Sequence, residues 1–200
     1  PRTLMIAHSM GMGLYEKKKL NWLTEDGWRL CGYTVEKEKD SYILGRRPLR
    51  RFEDIEEENV FEMISSDFSD YSECLDEIES IIKSIQQEYD SFVPDDLAII
   101  VMDMNYSYNR MVKMTTLIQV MLLNTFNYDS TLGYNTKIKE GNHIYISNTN
   151  NIKGLEFPFV ICLVPGIVGE NYYVRNSLYM MLTRAFLKTY LIINDENEEF

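Results

Sequence analysis

The sequence predicts an α/β chain, a parallel sheet with helices on both faces and a small inserted region. Three observations carry that expectation. Leu97–Met102 is an apolar run and Phe157–Val164 an almost unbroken one, as strands covered on both faces require. Between such runs lie long segments whose apolar residues recur at helical spacing. From Asp95 onward strand and helix patterns alternate, the order that builds a parallel sheet through crossover connections.

Taken in order, Thr3–Tyr15 has helical spacing, with Ala7, Gly11 and Gly13 small enough to allow close packing or to end the helix. His8 falls on its mostly apolar face, where a packed, hydrogen-bonded histidine is expected rather than a catalytic base. Leu20–Leu49 holds Trp22, Trp28, Tyr33 and Tyr42, with turn signals at Asp26-Gly27 and Lys39-Asp40, which predicts a hairpin of Trp28–Val35 and Ser41–Leu44. Arg46, Arg47, Arg50 and Arg51 then cluster, either as a nucleic-acid contact or as partners of the acidic run that begins at Glu53. Asp70–Tyr89 is the clearest helix, with Asp70 as N-cap, Glu73 three residues on, and Leu75, Ile78, Ile81, Ile82 and Ile85 on one face.

After Pro94 comes the Leu97–Met102 strand, then a helix over Tyr106–Thr125 whose stripe of Met111, Met114, Leu117, Ile118, Met121 and Leu122 reads as core. Asp129–Gly133 is expected as a turn and Tyr134–Lys139 as a strand, with His143 at a loop or strand edge. Ile144–Ile146 is a short strand, Asn148–Asn151 a loop made only of Asn and Thr, and Phe157–Val164 the next strand, closed by Pro165. Val174, Leu178, Met181, Leu182 and Ala185 fall at helical spacing, and Thr189–Ile193 reads as the last strand. Two polar constellations flank these runs, Lys153-Gly154-Leu155-Glu156 and Thr183-Arg184-Ala185. Because ligands of open parallel sheets sit beyond the carboxyl ends of the strands, Lys153–Glu156 is expected there.

The run Lys153–Phe157, followed by Arg175, Tyr179 and Thr183-Arg184-Ala185, resembles two motifs of the UvrD/Rep-type superfamily 1 DNA helicases, in the second of their RecA-like motor domains. The resemblance implies a RecA-like fold of the P-loop NTPase type and an ATP-dependent helicase or translocase as the parent enzyme. It makes Arg184 the arginine finger toward ATP, which with Mg²⁺ is held mainly by a first RecA-like domain of the same polypeptide. A guanidinium suits that role because phosphoryl transfer spreads charge over the γ-phosphate oxygens. By the same resemblance Glu156 lies near the ribose, Gly154 permits the tight turn beside it, Lys153 belongs to the same cofactor-binding turn, and Arg175 supports the site. Family members usually carry Thr and His where this chain has Asn148 and Asn150, the candidate contacts to single-stranded DNA, with RNA as the alternative. Asparagine donates and accepts hydrogen bonds but cannot take up a proton as His does.

Residues 1–19 and 95–200 are thus expected to form the second RecA-like domain, with 20–94 as an insertion holding a hairpin and one amphipathic helix. Thr3–Tyr15 resembles the family stretch just after Asn-Tyr-Arg-Ser/Thr, which places a phosphate-sensing Arg just upstream of Pro1. No Gly-x-x-x-x-Gly-Lys-Ser/Thr loop is present, so the chain reads as a fragment that does not hydrolyse ATP alone. Two competing readings stand beside this one: a degenerate helicase-like binding or regulatory module without ATPase activity, and an unrelated doubly wound domain that binds a small ligand.

Composition bounds the rest. Two hundred residues at 45% hydrophobic content suffice for one domain with a real core. A net charge of -11 argues against a free-standing nucleic-acid binder, although the acid concentrates in Asp54–Glu62, Asp67–Glu79 and Asp195–Glu199. Cys31, Cys74 and Cys162 lie far apart with no metal-ligand spacing, which together with the lack of a signal peptide or membrane-length apolar run predicts a cytoplasmic protein and no metal site of its own.

Overall fold

The computed structural model describes residues 2–12, 23–30, 33–38, 41–46, 60–103, 108–135, 138 and 140–197. The elements run α1 (Arg2–Met12), α2 (Glu25–Leu30), β1 (Tyr33–Glu38), β2 (Ser41–Arg46), β3 (Phe61–Ser66), α3 (Ser72–Glu88), β4 (Leu97–Val101), α4 (Tyr108–Met121), β5 (Asp129–Leu132), β6 (His143–Asn148), β7 (Phe157–Val164), α5 (Tyr172–Leu182) and β8 (Ala185–Asn194). Six strands form one sheet in the order β3-β8-β7-β4-β6-β5. Every pairing in it is parallel.

Period-two alternation sends the strand residues to two cores. Leu97, Ile99, Val101, Ile144, Ile146, Phe159 and Ile161 pack with Ile78, Ile82 and Ile85 of α3 and Met111, Met114 and Ile118 of α4. On the other face Ala98, Ile100, Val160, Cys162 and Leu191 pack with Ala7 of α1 and Val174, Leu178 and Met181 of α5. Helices therefore cover both faces, and the fold is the expected α/β arrangement of a parallel sheet between helices.

The expected division at residue 94 does not follow the sheet. Within the stretch 20–94, β3 pairs with β8 along its whole length, from Phe61↔Thr189 to Ser66↔Asn194, and α3 supplies Cys74, Ile78, Ile81, Ile82 and Ile85 to the core. Lys188 of β8, its side chain 4% exposed, strengthens this join by reaching Glu62 of β3 and Glu88 of α3, each at 3.7 Å. Residues 60–94 thus belong to the sheet body, and among the described residues before them two strands pair apart from it. There β1 and β2 form the predicted antiparallel hairpin, from Tyr33↔Arg46 to Glu38↔Ser41. Trp28 lies not in a strand but in α2, where Gly27 N–H donates to Thr24 Oγ1 at 3.1 Å and makes Asp26-Gly27 part of a capped helix rather than a turn. Lys39-Asp40 and Arg47–Arg51 lie outside the described residues, as do Cys31 and Trp22.

Three boundaries also differ. The residue before α3 is Tyr71, at φ 71°, yet Asp70 still does the accepting, from Ser72 N–H at 3.0 Å and Ser72 Oγ at 2.7 Å. Those bonds hold its carboxyl below the usual range. Helix α4 closes in a π turn, Leu122–Phe126, ended by Asn127 at φ 55°. That abrupt ending lets β5 begin at Asp129, so the expected turn is the strand and Gly133–Asn135 is the turn. Gly133 N–H donates to Ile146 O at 2.7 Å, and a Cβ there would sit 2.6 Å from Ser147 Oγ, so a larger residue must push the Ser147 and Tyr145 side chains aside. His8 is packed as expected: it bonds the Tyr33 hydroxyl at 2.5 Å and lies against Trp28 and Tyr179.

Burial pushes the Cys74 thiol up to about 12 and the Cys162 thiol higher still. Both are raised above the ordinary 9.0, so unfolding releases protons only as pH approaches that value. Their contribution is constant below 9.0 and falls as pH rises from there toward the folded-state value, about 12 for Cys74. Neither thiol should react with a disulfide reagent at pH 8 in the native state, and both should react at once in denaturant; prompt native labelling of either would refute their burial.

Candidate functional site

Strand β6 ends at Asn148 on the carboxyl edge of the sheet, and its successor β7 lies beyond β4 and parallel to it. The connection must therefore return the whole length of the sheet to reach the amino end of β7. It turns first on itself: Asn148 Oδ1 accepts from Asn151 N–H at 3.0 Å, and Ile152 N–H returns to Asn148 O at 3.3 Å. Ile152, fully buried in the α1/α5 core, pins its middle. Gly154 stands at φ +84°, a left-handed conformation that side chains resist, and Glu156 directly precedes β7. Lys153 and Glu156 are both exposed. The expectation that Lys153–Glu156 lies beyond the carboxyl ends is corrected by this course: Asn148 and Asn150 stand on that edge, and Glu156 on the opposite one.

Helix α5 makes the same journey, from the carboxyl edge after β7 to the amino edge before β8. At its end Thr183 N–H donates to Tyr179 O at 3.2 Å and Arg184 N–H to Met181 O at 3.1 Å. Phe157 N–H then donates to Arg184 O at 3.0 Å, and Phe157 pairs with Ala185 in the sheet. The two polar constellations thus abut at the amino edge. The half-buried Arg184 guanidinium folds back on its own helix, Nε donating to Met180 O at 2.9 Å and Nη2 to Thr183 Oγ1 at 3.0 Å. A cation at a helix C-terminus is favourably placed against the free carbonyls.

Arg175 does not join Arg184. It lies nine residues earlier on α5, roughly 13 Å along the axis at the usual rise. Only 3% exposed, it donates from Nε to Gly169 O at 2.7 Å and from Nη1 to Met10 O at 2.8 Å. The sequence expected cofactor support from this residue; its position makes it a tie between α5, the loop after β7 and the end of α1.

On the carboxyl edge a cleft of about 380 Å³ opens between Asp103, Tyr108, Met111, Tyr134, Asn135 and Asn148. Asn150 Nδ2 donates to Asp103 Oδ2 at 3.2 Å, and the Tyr134 hydroxyl to Thr115 Oγ1 at 3.1 Å. Asp103 Oδ1 and Thr149 Oγ1 are sealed from water with no hydrogen-bond partner among the described residues. Sequence reasoning missed Asp103, Tyr108, Tyr134 and Asn135; the available signal was Asp103, two residues past a buried strand, where ligands of parallel sheets gather. Among the described residues no group of three or more His, Cys, Asp or Glu side chains is placed to hold a metal ion.

Residues 143–192, from the start of β6 almost to the end of β8, match the family model of the UvrD-like helicase C-terminal domain. The match covers about a quarter of the chain. It contains both constellations and the strands that bring them together. The chain is also similar to the C-terminal domain of a possible DNA helicase from Lactobacillus plantarum WCFS1, at 18% identity and a TM-score of 0.49, over 68% of this chain and 74% of that one. No curated protein matches the chain. Among the described residues no helix is long and apolar enough to cross a membrane.

Proposed function

We propose that the chain is the second motor half of an ATP-dependent DNA helicase or translocase, taking nucleotide at the amino edge of its sheet and single-stranded nucleic acid at the carboxyl edge. The observation that carries this reading is the 3.0 Å bond from Phe157 N–H to Arg184 O, which sets the Lys153–Phe157 and Thr183-Arg184-Ala185 motifs side by side within the UvrD-like segment. Arg184 would offer its guanidinium to the γ-phosphate of ATP, which a first RecA-like domain would hold with Mg²⁺. The residues fit such a group: a half-buried guanidinium whose bonds to Met180 O and Thr183 Oγ1 can be exchanged for phosphate oxygens, and an exposed Glu156 able to accept from a ribose hydroxyl. Bound ATP supplies the phosphoryl group and Mg²⁺ its charge neutralisation. Lys153 adds positive charge, and Gly154 provides the turn that sets Glu156.

Asn148 and Asn150 meet the strand at the other edge, and the connection from Asn148 to Phe157, pinned at Ile152, joins the two edges. A shift of Asn148 is passed along a short, anchored segment to the backbone that Arg184 accepts from. Hydrolysis by the intact protein should be stimulated by single-stranded DNA. The double substitution Asn148→Ala, Asn150→Ala should raise the DNA concentration needed for half-stimulation several-fold and leave the unstimulated rate unchanged.

One observation favours the module without motor activity. Asn148 already accepts from Asn151, and Asn150 already donates to Asp103, so both amides are partly engaged inside the chain. Absence of any hydrolysis by the intact wild-type protein would decide for that module.

A further inference from the structure

The cleft between β4, β6 and α4 has the chemistry of a base pocket rather than a phosphate pocket. Among the described residues its lining includes no Lys or Arg and its one charged group is the carboxylate of Asp103, while the aromatic Tyr108 and Tyr134 line it together with Met111. A phosphate placed there would meet like charge. An unpaired base would instead find a stacking surface and hydrogen-bonding groups at the back. Of those groups, Asp103 only accepts when ionised. Its Oδ2 is held by one 3.2 Å bond from the exposed Asn150, and its Oδ1 has no donor among the described residues, a cost that a ligand N–H removes once the carboxylate turns toward the cleft. Asn148 spends its Oδ1 on Asn151 N–H, which leaves its Nδ2 to donate.

We infer that this cleft takes a single unpaired nucleobase of the bound strand and favours one that carries an exocyclic amino group. The inference rests on the nucleic-acid reading of the carboxyl edge and goes beyond it, since it makes the site base-selective. Cytosine presents an amino donor to Asp103 and ring acceptors to Asn148 Nδ2. Thymine, of equal size and backbone charge, turns a carbonyl oxygen toward the carboxylate and is repelled. The shared chemistry of an amino-bearing base is also present in a free nucleotide; the strand is the source favoured here because Asn148 and Asn150 flank the cleft on the same edge.

The test is binding of fluorescent 15-mers of deoxycytidine and of thymidine to the intact protein without nucleotide, at fixed salt and pH 7.5, for wild type and Asp103→Asn. Wild type should favour the cytosine strand about tenfold, the discrimination of one good base contact. Asp103→Asn, nearly isosteric and able to offer its Nδ2 to the thymine carbonyl, should bring the ratio to about one or invert it. Tyr108→Ala, at an exposed position that folding does not need, should weaken both strands several-fold through lost stacking. An unchanged ratio in Asp103→Asn overturns base selection while both strands still bind. Failure of both strands to bind removes the nucleic-acid reading itself. Displacement of the strand by free dCMP at equal base concentration overturns the strand as the source.

Discussion

Arg184→Ala should lower DNA-stimulated ATP hydrolysis by the intact protein about 10³- to 10⁵-fold, the range that arginine fingers supply to phosphoryl transfer. The loss should appear in kcat, with nucleotide affinity changed far less, because the guanidinium is needed where charge develops and not where the ground state binds. Arg184→Lys should recover little of it, since an ammonium keeps the charge but not the planar fork. Folding should be nearly unaffected. The side-chain bonds from Arg184 to Met180 O and Thr183 Oγ1 are half exposed and stabilise the helix end by about 1 kcal/mol, whereas the bond that joins the motifs runs from Phe157 N–H to a main-chain oxygen and survives the substitution. A mutant with wild-type turnover and a normal melting curve would leave Arg184 as a helix cap and no more.

The folded chain explains which parts of this reading were available from sequence. Strands β4 and β7 and helix α3 were legible because burial on both faces, or on one helical stripe, writes an unambiguous pattern. β3 was not, because an edge strand has one open side: Phe-Glu-Met-Ile-Ser-Ser leaves Glu62 and Met63 exposed, and its place in the sheet is set by pairing with β8, distant in sequence. β5, reading Asp-Ser-Thr-Leu, carries almost no apolar signal and is held by pairing with β6. The motif residues were legible as types and spacings, but their distribution over two edges was not. That distribution follows from β4 standing between β6 and β7, which forces the connection after Asn148 to run back across the sheet, and strand order is not encoded in local pattern. The cleft was hidden for the same reason, since Asp103, Tyr134 and Asn148 come from three separate segments that meet only in the fold.

Arg175 shows how a residue read as part of a site can instead hold the body that carries the site. Its buried guanidinium bonds Gly169 O at 2.7 Å and Met10 O at 2.8 Å, so it links the loop after β7 to the last turn of α1. Hydrogen bonds from a charged donor are worth about 1.5–3 kcal/mol each, and their loss strands two carbonyls away from water. Arg175→Met keeps much of the packing volume and removes only the donors, so it isolates that contribution. It should destabilise the domain by about 3 kcal/mol. For a domain of this size that corresponds to a fall of about 6–12 °C in Tm. Arg175→Lys should recover less than half, because one ammonium cannot span both oxygens. The damage should be greatest at α1, which depends on this tie and on the close approach of Gly11 to Tyr179, where an added Cβ would lie 3.2 Å from the tyrosine Cβ. Amide exchange of Ala7–Met12 should therefore accelerate more than that of β4 or β7, whose bonds lie in the middle of the sheet. Hydrolysis per folded molecule should persist in Arg175→Met at a temperature well below its transition, in contrast to Arg184→Ala. Loss of turnover in Arg175→Met without a shift in Tm would return Arg175 to the nucleotide site.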